Sequence, residues 1–365
     1  MADDDRILAA IRGADRYLNG WHGRPTMRER LLEIAEATAD DERPDNYGGG
    51  ERIERLEARI AATVGAEAAV FMPSGTMAQQ IAMRIWSERR GCRTVAFHPT
   101  CHLEIHEQKG YQLLHGLHGR LVGDPNGVIT LADLEQIAEP LAALLLELPQ
   151  REIGGRLPGW DDLVAQTAWA RERGTALHMD GARLWQAAPF YGRPHAEIAG
   201  LFDSTYVSFY KDLGGLAGAA LAGDAELIAQ ARVWLRRHGG NLVTMHPFVV
   251  SAELALDEKL ARMPGYAEHA RAIAAELSQV DGLEVVPDPP QTPMFHLLLR
   301  GDGGRLGEAA LAVAEERKVF LFAEPGPTTS PGWQRHEVMV GEPTLQLAPA
   351  ELRGLYEEIL ARAAH

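Results

Sequence analysis

The chain has 365 residues, 46% of them hydrophobic and 24% charged, and a net charge of −15 from 36 basic and 51 acidic side chains. That is a globular composition, long enough for two domains, with a surface that repels phosphate backbones and anionic lipid, so neither nucleic acid nor a membrane is expected as a partner. Two cysteines, Cys92 and Cys101, are too few for a disulfide framework or a four-cysteine zinc site. Together with an acidic N-terminus and no apolar run near the ~20 residues of a membrane span, they fit a reduced cytoplasm.

Residues 1–45 read as a helical segment broken by Pro25 and Pro44, expected to pack on a smaller domain or on a partner. A charged break and Gly48-Gly49-Gly50 lead into a helix over 51–64, where Ile53, Leu56, Ile60 and Val64 share one face. Strands and helices then alternate. Strands are expected at 68–72, 94–97, 120–122, 141–148, 175–179, 205–209 and 217–222, with helices at 76–89 and 160–173 between them. This rhythm predicts βαβ units and a mostly parallel sheet within an α/β domain spanning 46–245. Residues 246–365 suit a smaller α+β domain. A long helix is expected at 252–277, strands at 283–286, 295–300, 319–322 and 338–341, and a final helix at 349–363. Trp86, Trp169 and Trp234 lie on amphipathic stretches and read as core.

Three features fall where strands end, the edge on which α/β folds place ligands. Pro73-Ser74-Gly75-Thr76 joins a strand to a helix, and its N–H groups and hydroxyls suit a phosphate, though such strings also cap ordinary helices. The strand at 175–179 runs into Asp180-Gly181-Ala182-Arg183, which sets a carboxylate and an arginine at a strand end. An aspartate there can hold a protonated ring nitrogen or simply cap a helix. Lys211 follows the strand at 205–209 and precedes Gly214-Gly215. A partly desolvated lysine loses proton affinity and can form a Schiff base, whereas most lysines stay solvated. The 31 residues from Asp180 to Lys211 leave room for one crossover helix. Together the three features meet the needs of pyridoxal 5′-phosphate.

With these residues in place, the sequence resembles the L-threonine aldolases, within the β-eliminating lyase group of pyridoxal phosphate enzymes of aspartate-aminotransferase-like fold (fold type I). The resemblance runs from about Arg24 to Gly240. It is carried by Arg24-Pro25-Thr26-Met27-Arg28, Tyr47-Gly48, Ser74-Gly75-Thr76-Met77, His102 with Glu107-Gln108-Lys109-Gly110, His178-Met179-Asp180-Gly181-Ala182-Arg183-Leu184-Trp185, Lys211-Asp212-Leu213-Gly214 and Arg236-Arg237-His238-Gly239-Gly240. It implies a large seven-stranded cofactor-binding domain, a smaller C-terminal domain, and a homodimer or homotetramer with shared active sites. It implies that Lys211 holds the cofactor, Asp180 its ring nitrogen, and Ser74, Gly75 and Thr76 its phosphate, with Ser208 among the cofactor-binding residues. His102 would stack on the ring and take the β-hydroxyl proton. Arg183 would lie beside the ring oxygen or the substrate, and Asn19 and Arg335 would meet the substrate carboxylate. The implied reaction is aldol cleavage of L-threonine or a relative such as phenylserine to glycine and an aldehyde.

The chain departs from the family where Leu148-Pro149-Gln150-Arg151 replaces an Asn-Thr-His-Asn-like stretch, and in the absence of a histidine at 136–140. A different β-hydroxy amino acid, a β-elimination or another carbon–carbon cleavage, and a catalytically silent homologue therefore stay open. So does a zinc hydrolase built on Cys101, His102 and His106, although the spacing is not His-Glu-x-x-His. A dinucleotide enzyme is less well served, because Gly214-Gly215-Leu216-Ala217-Gly218 precedes a strand rather than opening a helix.

Overall fold

The computed structural model describes residues 2–19 and 25–364; Arg24, the first residue of the family-like N-terminal segment, lies outside them. Helices α1 (Ala2–Gly13), α2 (Met27–Glu36), α3 (Glu51–Val64), α4 (Gly75–Arg90), α5 (Trp160–Glu172), α6 (Ala225–Arg237), α7 (His246–Lys259), α8 (Met263–Leu277), α9 (Gly303–Arg317) and α10 (Pro349–Ala363) alternate with strands. The principal strands are β1 (Ala68–Met72), β2 (Thr94–Phe97), β3 (His118–Leu121), β4 (Ala143–Glu147), β5 (Ala176–Gly181), β6 (Ser204–Ser208), β7 (Ala219–Gly223), β8 (Leu283–Val286), β9 (Met294–Arg300), β10 (Gly326–Pro327) and β11 (Trp333–Met339). No helix among the described residues is long and apolar enough to cross a membrane.

Two compact units result. The larger comprises residues 26–153 and 157–261, the smaller 1–25, 154–156 and 262–365. Residues 26–45 and 246–261 thus fall in the larger unit, beyond the 46–245 span read from the sequence.

The larger unit is built on a seven-stranded sheet in the order β1-β7-β6-β5-β4-β2-β3, parallel except for β7, which is antiparallel to both neighbours. Its central strands are apolar throughout. Leu144, Leu145 and Leu146 of β4 and Leu177 and Met179 of β5 are buried, as strands covered on two faces require. Helix α4 crosses β5, β6 and β7, and burying Ile81, Met83 and Ile85 against them builds the main core with Val70, Phe97 and Leu221. Trp86 and Trp169 are buried in that unit, and Trp234 is half-buried against its core.

The segment between Asp180 and Lys211, which has room for one crossover helix, carries no single long one. Two short helices, Ala187–Tyr191 and His195–Ala199, stand there instead, because Gly192 ends the first with φ +63° and Pro194 opens the second.

The smaller unit carries an antiparallel sheet in the order β10-β11-β9-β8, with α8 and α9 packed on α10 and α1 on α9. The long helix expected at 252–277 is divided into α7 and α8 by a 3₁₀ turn at Leu260–Arg262. Pro264 explains the break, since it has no N–H for the preceding turn and is accommodated only in the first turn of a new helix.

Candidate active site

Asp180 sits near the end of β5, with Glu147 of β4 as its register partner on one side and Tyr206 of β6 on the other. Its carboxylate is 1% exposed. Oδ1 accepts from the Ala182 N–H at 3.0 Å, and Oδ2 accepts from the side-chain amide of Gln79 on α4. Side chains two apart on a strand share a face, so His178 points to the same side as Asp180.

Glu147 is also buried. It accepts from Gln150 Nε2 at 3.0 Å and from the Arg151 N–H at 3.1 Å. Burial, reinforced by the charge of Asp180, pushes its pKa up to about 7. Gln150 Nε2 also lies 3.3 Å from the Thr100 hydroxyl. The stretch that departs from the family pattern is therefore anchored on Glu147 and Thr100.

Lys211 lies in the loop after β6, its N–H donating to Ser208 Oγ at 3.4 Å. Desolvation and the neighbouring Arg183 cation lower the pKa of its amine, against the pull of Asp180, Glu147 and Asp212. A lysine with reduced proton affinity carries the free amine that attack on a carbonyl requires. Asp212, fully buried beside it, is pushed up to about 7 by desolvation, with Arg183 and Lys211 opposing. Arg183 Nε stands 3.9 Å from Asp212 Oδ1 and has no hydrogen-bond partner among the described residues.

His102 opens a short helical turn after β2. Its Nδ1 is 2.9 Å from Glu107 Oε1, and Gln80 Nε2 donates to the other oxygen of Glu107 at 2.9 Å. An acceptor fixed on Nδ1 puts the proton there and leaves Nε2 as the base. His102, Glu147, Asp180, Arg183 and Lys211 line one cavity of about 390 Å³ with Thr100 and Arg151. A more open hollow of about 1020 Å³ borders Tyr47, Phe71, Arg236 and Met245 but holds no lysine.

The start of α4 lies beside this edge. Ser74 Oγ caps the helix by accepting from the Met77 N–H at 3.3 Å, and no acidic residue occupies the first turn. Gly75 is required there, because a Cβ would fall 2.0 Å from the Tyr206 hydroxyl. The helix start is thus packed on the strand next to Asp180, with its positive end free of competing carboxylates. Ser208 is buried at the end of β6.

Asn19 and Arg335 belong to the smaller unit. Asn19 donates to the Glu337 carbonyl at 2.7 Å and accepts from the Met339 N–H at 2.8 Å, which ties its amide to β11. Arg335 lies on β11 opposite Leu298.

Cys101, His102 and His106 do not converge on a metal. Cys101 is buried and desolvation raises its thiol pKa well above normal, while His102 faces Glu107 and His106 Nε2 faces Glu152 at 3.0 Å. Among the described residues no group of three or more such side chains could hold a metal ion.

The donor set fits pyridoxal phosphate. One edge supplies a lysine of lowered proton affinity, a buried carboxylate, an under-bonded arginine and a helix N-terminus.

Comparison with known proteins agrees. Residues 22–300 match the family model described as beta-eliminating lyase. The chain belongs to that family. Within this lyase family, the chain is 30% identical over 312 residues to a protein named probable low-specificity L-threonine aldolase 2 from Arabidopsis thaliana, covering 82% of this chain and 86% of the relative. The crystal structure of a candidate L-allo-threonine aldolase from Listeria monocytogenes superposes with a TM-score of 0.93 at 36% identity, covering 99% of both chains. The crystal structure of a candidate aromatic amino acid beta-eliminating lyase/threonine aldolase from Exiguobacterium superposes with a TM-score of 0.92 at 39% identity, covering 98% of this chain and 99% of the other. The lyase is accordingly a pyridoxal-phosphate-dependent enzyme of fold type I.

Sequence reasoning left Gln79, Gln80, Glu147 and Asp212 without a role. Gln79 and Gln80 read as ordinary helix residues, and only the packing of α4 under the sheet edge turns their amides onto carboxylates.

Proposed function

We propose that this lyase cleaves a β-hydroxy-α-amino acid, L-threonine or a relative such as phenylserine, to glycine and an aldehyde. The observation that carries this reading is the convergence of Lys211, Asp180, Arg183 and Glu107-backed His102 on one cavity. When bound, pyridoxal phosphate supplies an electron sink for the pair released as Cα–Cβ breaks. Lys211, on the wall of that cavity with a lowered proton affinity, would supply the amine that anchors it. Asp180 holds a proton at the ring nitrogen. Ser74, Gly75, Thr76 and Ser208 take the phosphate side, and Arg183 offers its open Nε to the ring oxygen or the substrate. His102 Nε2 accepts the proton of the β-hydroxyl, and Glu107 stabilises the imidazolium that results. Arg335 and Asn19 are assigned to the substrate carboxylate.

We also assign the protein to a homodimer or homotetramer in the cytoplasm. Exposed Tyr47, Leu242 and Val243 supply apolar surface for a second copy.

The test is incubation of cofactor-loaded protein with a panel of β-hydroxy amino acids. Glycine and aldehyde in equal amounts support the reading. Ammonia and a 2-oxo acid instead would establish β-elimination and overturn it.

A further inference from the structure

Behind Asp180 a line of buried polar side chains runs into the core of the larger unit. Gln79 Nε2 donates to Asp180 Oδ2, and Gln79 Oε1 lies 3.0 Å from His178 Nε2. His178 Nδ1 lies 2.8 Å from Ser204 Oγ, and the Trp86 indole N–H donates to that same Oγ at 2.8 Å. Asp180, Gln79, His178, Ser204 and Trp86 are all buried, His178 at 0% exposure.

The two ends set the direction of this line. The Trp86 indole can only donate, and the Asp180 carboxylate can only accept. With Trp86 donating, Ser204 has its own hydroxyl proton to give, and His178 Nδ1 is the acceptor within reach. His178 must then be protonated on Nε2, which faces Gln79 Oε1. That contact holds the Gln79 amide with its NH₂ toward Asp180. The opposite tautomer would place two acceptors face to face, either at His178 and Gln79 or, with the amide turned over, at Gln79 and Asp180. Such mismatches are costly in a dry core. Desolvation lowers the pKa of His178 to about 4, so the ring is neutral at physiological pH and one tautomer is a complete description.

We propose that Trp86, Ser204, His178 and Gln79 form a one-way donor relay that positions the Asp180 carboxylate for the cofactor ring nitrogen. These are positioning residues, since none of the four lines the cavity. The relay also gives His178 of the His178-Met179-Asp180-Gly181 string a task distinct from that of Asp180. The proposal rests on the cofactor role assigned to Asp180 above.

Gln79→Glu is nearly isosteric and keeps the acceptor for His178, but it sets a carboxylate against Asp180. It is expected to weaken pyridoxal phosphate binding, followed by absorbance titration, ~10-fold or more. Ser204→Ala is expected to weaken binding by a smaller factor in the same direction, and Ser204→Thr, which keeps the hydroxyl, to restore it. Independently, ¹⁵N NMR of histidine-labelled, cofactor-free protein, with the His178 signal identified by its loss in His178→Gln, should show the proton on Nε2. Wild-type cofactor affinity in Gln79→Glu, or a proton on His178 Nδ1, overturns the relay. If the wild-type protein takes up no pyridoxal phosphate, the functional reading falls, while the histidine tautomer still decides the relay.

Discussion

Both units bury a histidine in a polar network, and the two networks differ in one respect. In the smaller unit, His336 is 6% exposed, with Nε2 3.1 Å from Asn19 Nδ2 and Nδ1 2.9 Å from the Tyr356 hydroxyl. Desolvation lowers its pKa to about 3. Both of its nitrogens are engaged, and its neighbours tie N-terminal chain and α10 to β11. In the larger unit the network around Asp180 opens on its outer side to a cavity, where Arg183 Nε has no hydrogen-bond partner among the described residues and the Lys211 amine has lost proton affinity. A perturbed titratable group is thus not by itself a site. What distinguishes one is polar capacity left pointing at a space a ligand can fill.

That contrast can be broken from its strong end. Lys211→Ala should abolish the visible absorbance of the cofactor-loaded protein and cut turnover by at least ~1000-fold, the scale of losing a covalent anchor. Retention of the band would remove Lys211 from its role. Asp180→Asn should come next, with a loss of roughly 100-fold or more in kcat as a preorganised charge at the ring nitrogen disappears. Glu107→Gln weakens the orientation of His102 without deleting it, so kcat should fall ~10- to 100-fold with little change in KM. An equal rise in KM would point to a binding role instead.

The smaller effects concern stability. The pKa of Asp212 is raised to about 7 in the folded protein, so its contribution is greatest below the ordinary carboxylate range and is lost as pH rises through about 7. In cofactor-free protein, Asp212→Asn should therefore raise Tm relative to wild type at pH 8, and the gain should shrink toward pH 4. An unchanged difference across that range would refute burial as the cause. His336→Phe should cost about 1–3 kcal/mol by taking the buried Tyr356 hydroxyl's partner away, measurable by denaturant unfolding, while leaving the cofactor absorbance intact. Loss of that absorbance would erase the distinction between the two networks.

Much of the fold was legible. Helices at 51–64 and 349–363 and strands at 68–72, 94–97 and 283–286 form where periodicity and apolar runs place them. The sheet is mostly parallel, as the alternation of elements implies. Strand β11 was legible only at its end, because Trp333-Gln334-Arg335-His336-Glu337 is polar and half-exposed. Its pairing with β9, rather than its own hydrophobicity, makes it a strand. The break at Leu260–Arg262 was hidden by apolar periodicity continuing through Pro264.

For the site, local sequence determined which chemical groups stand at strand ends: a carboxylate at 180, an arginine at 183, a lysine at 211 and a helix start at 74–76. Each follows from short-range rules linking strands, glycines and helix caps. Tertiary structure alone decided what surrounds them. Gln80 lies behind Glu107, Gln79 behind Asp180 and His178, and Asp212 beside Arg183 because the packing of α4 and the sheet brings distant segments together. Proton affinities follow from that packing, since desolvation and neighbouring charge are properties of the folded interior and not of the residues in sequence.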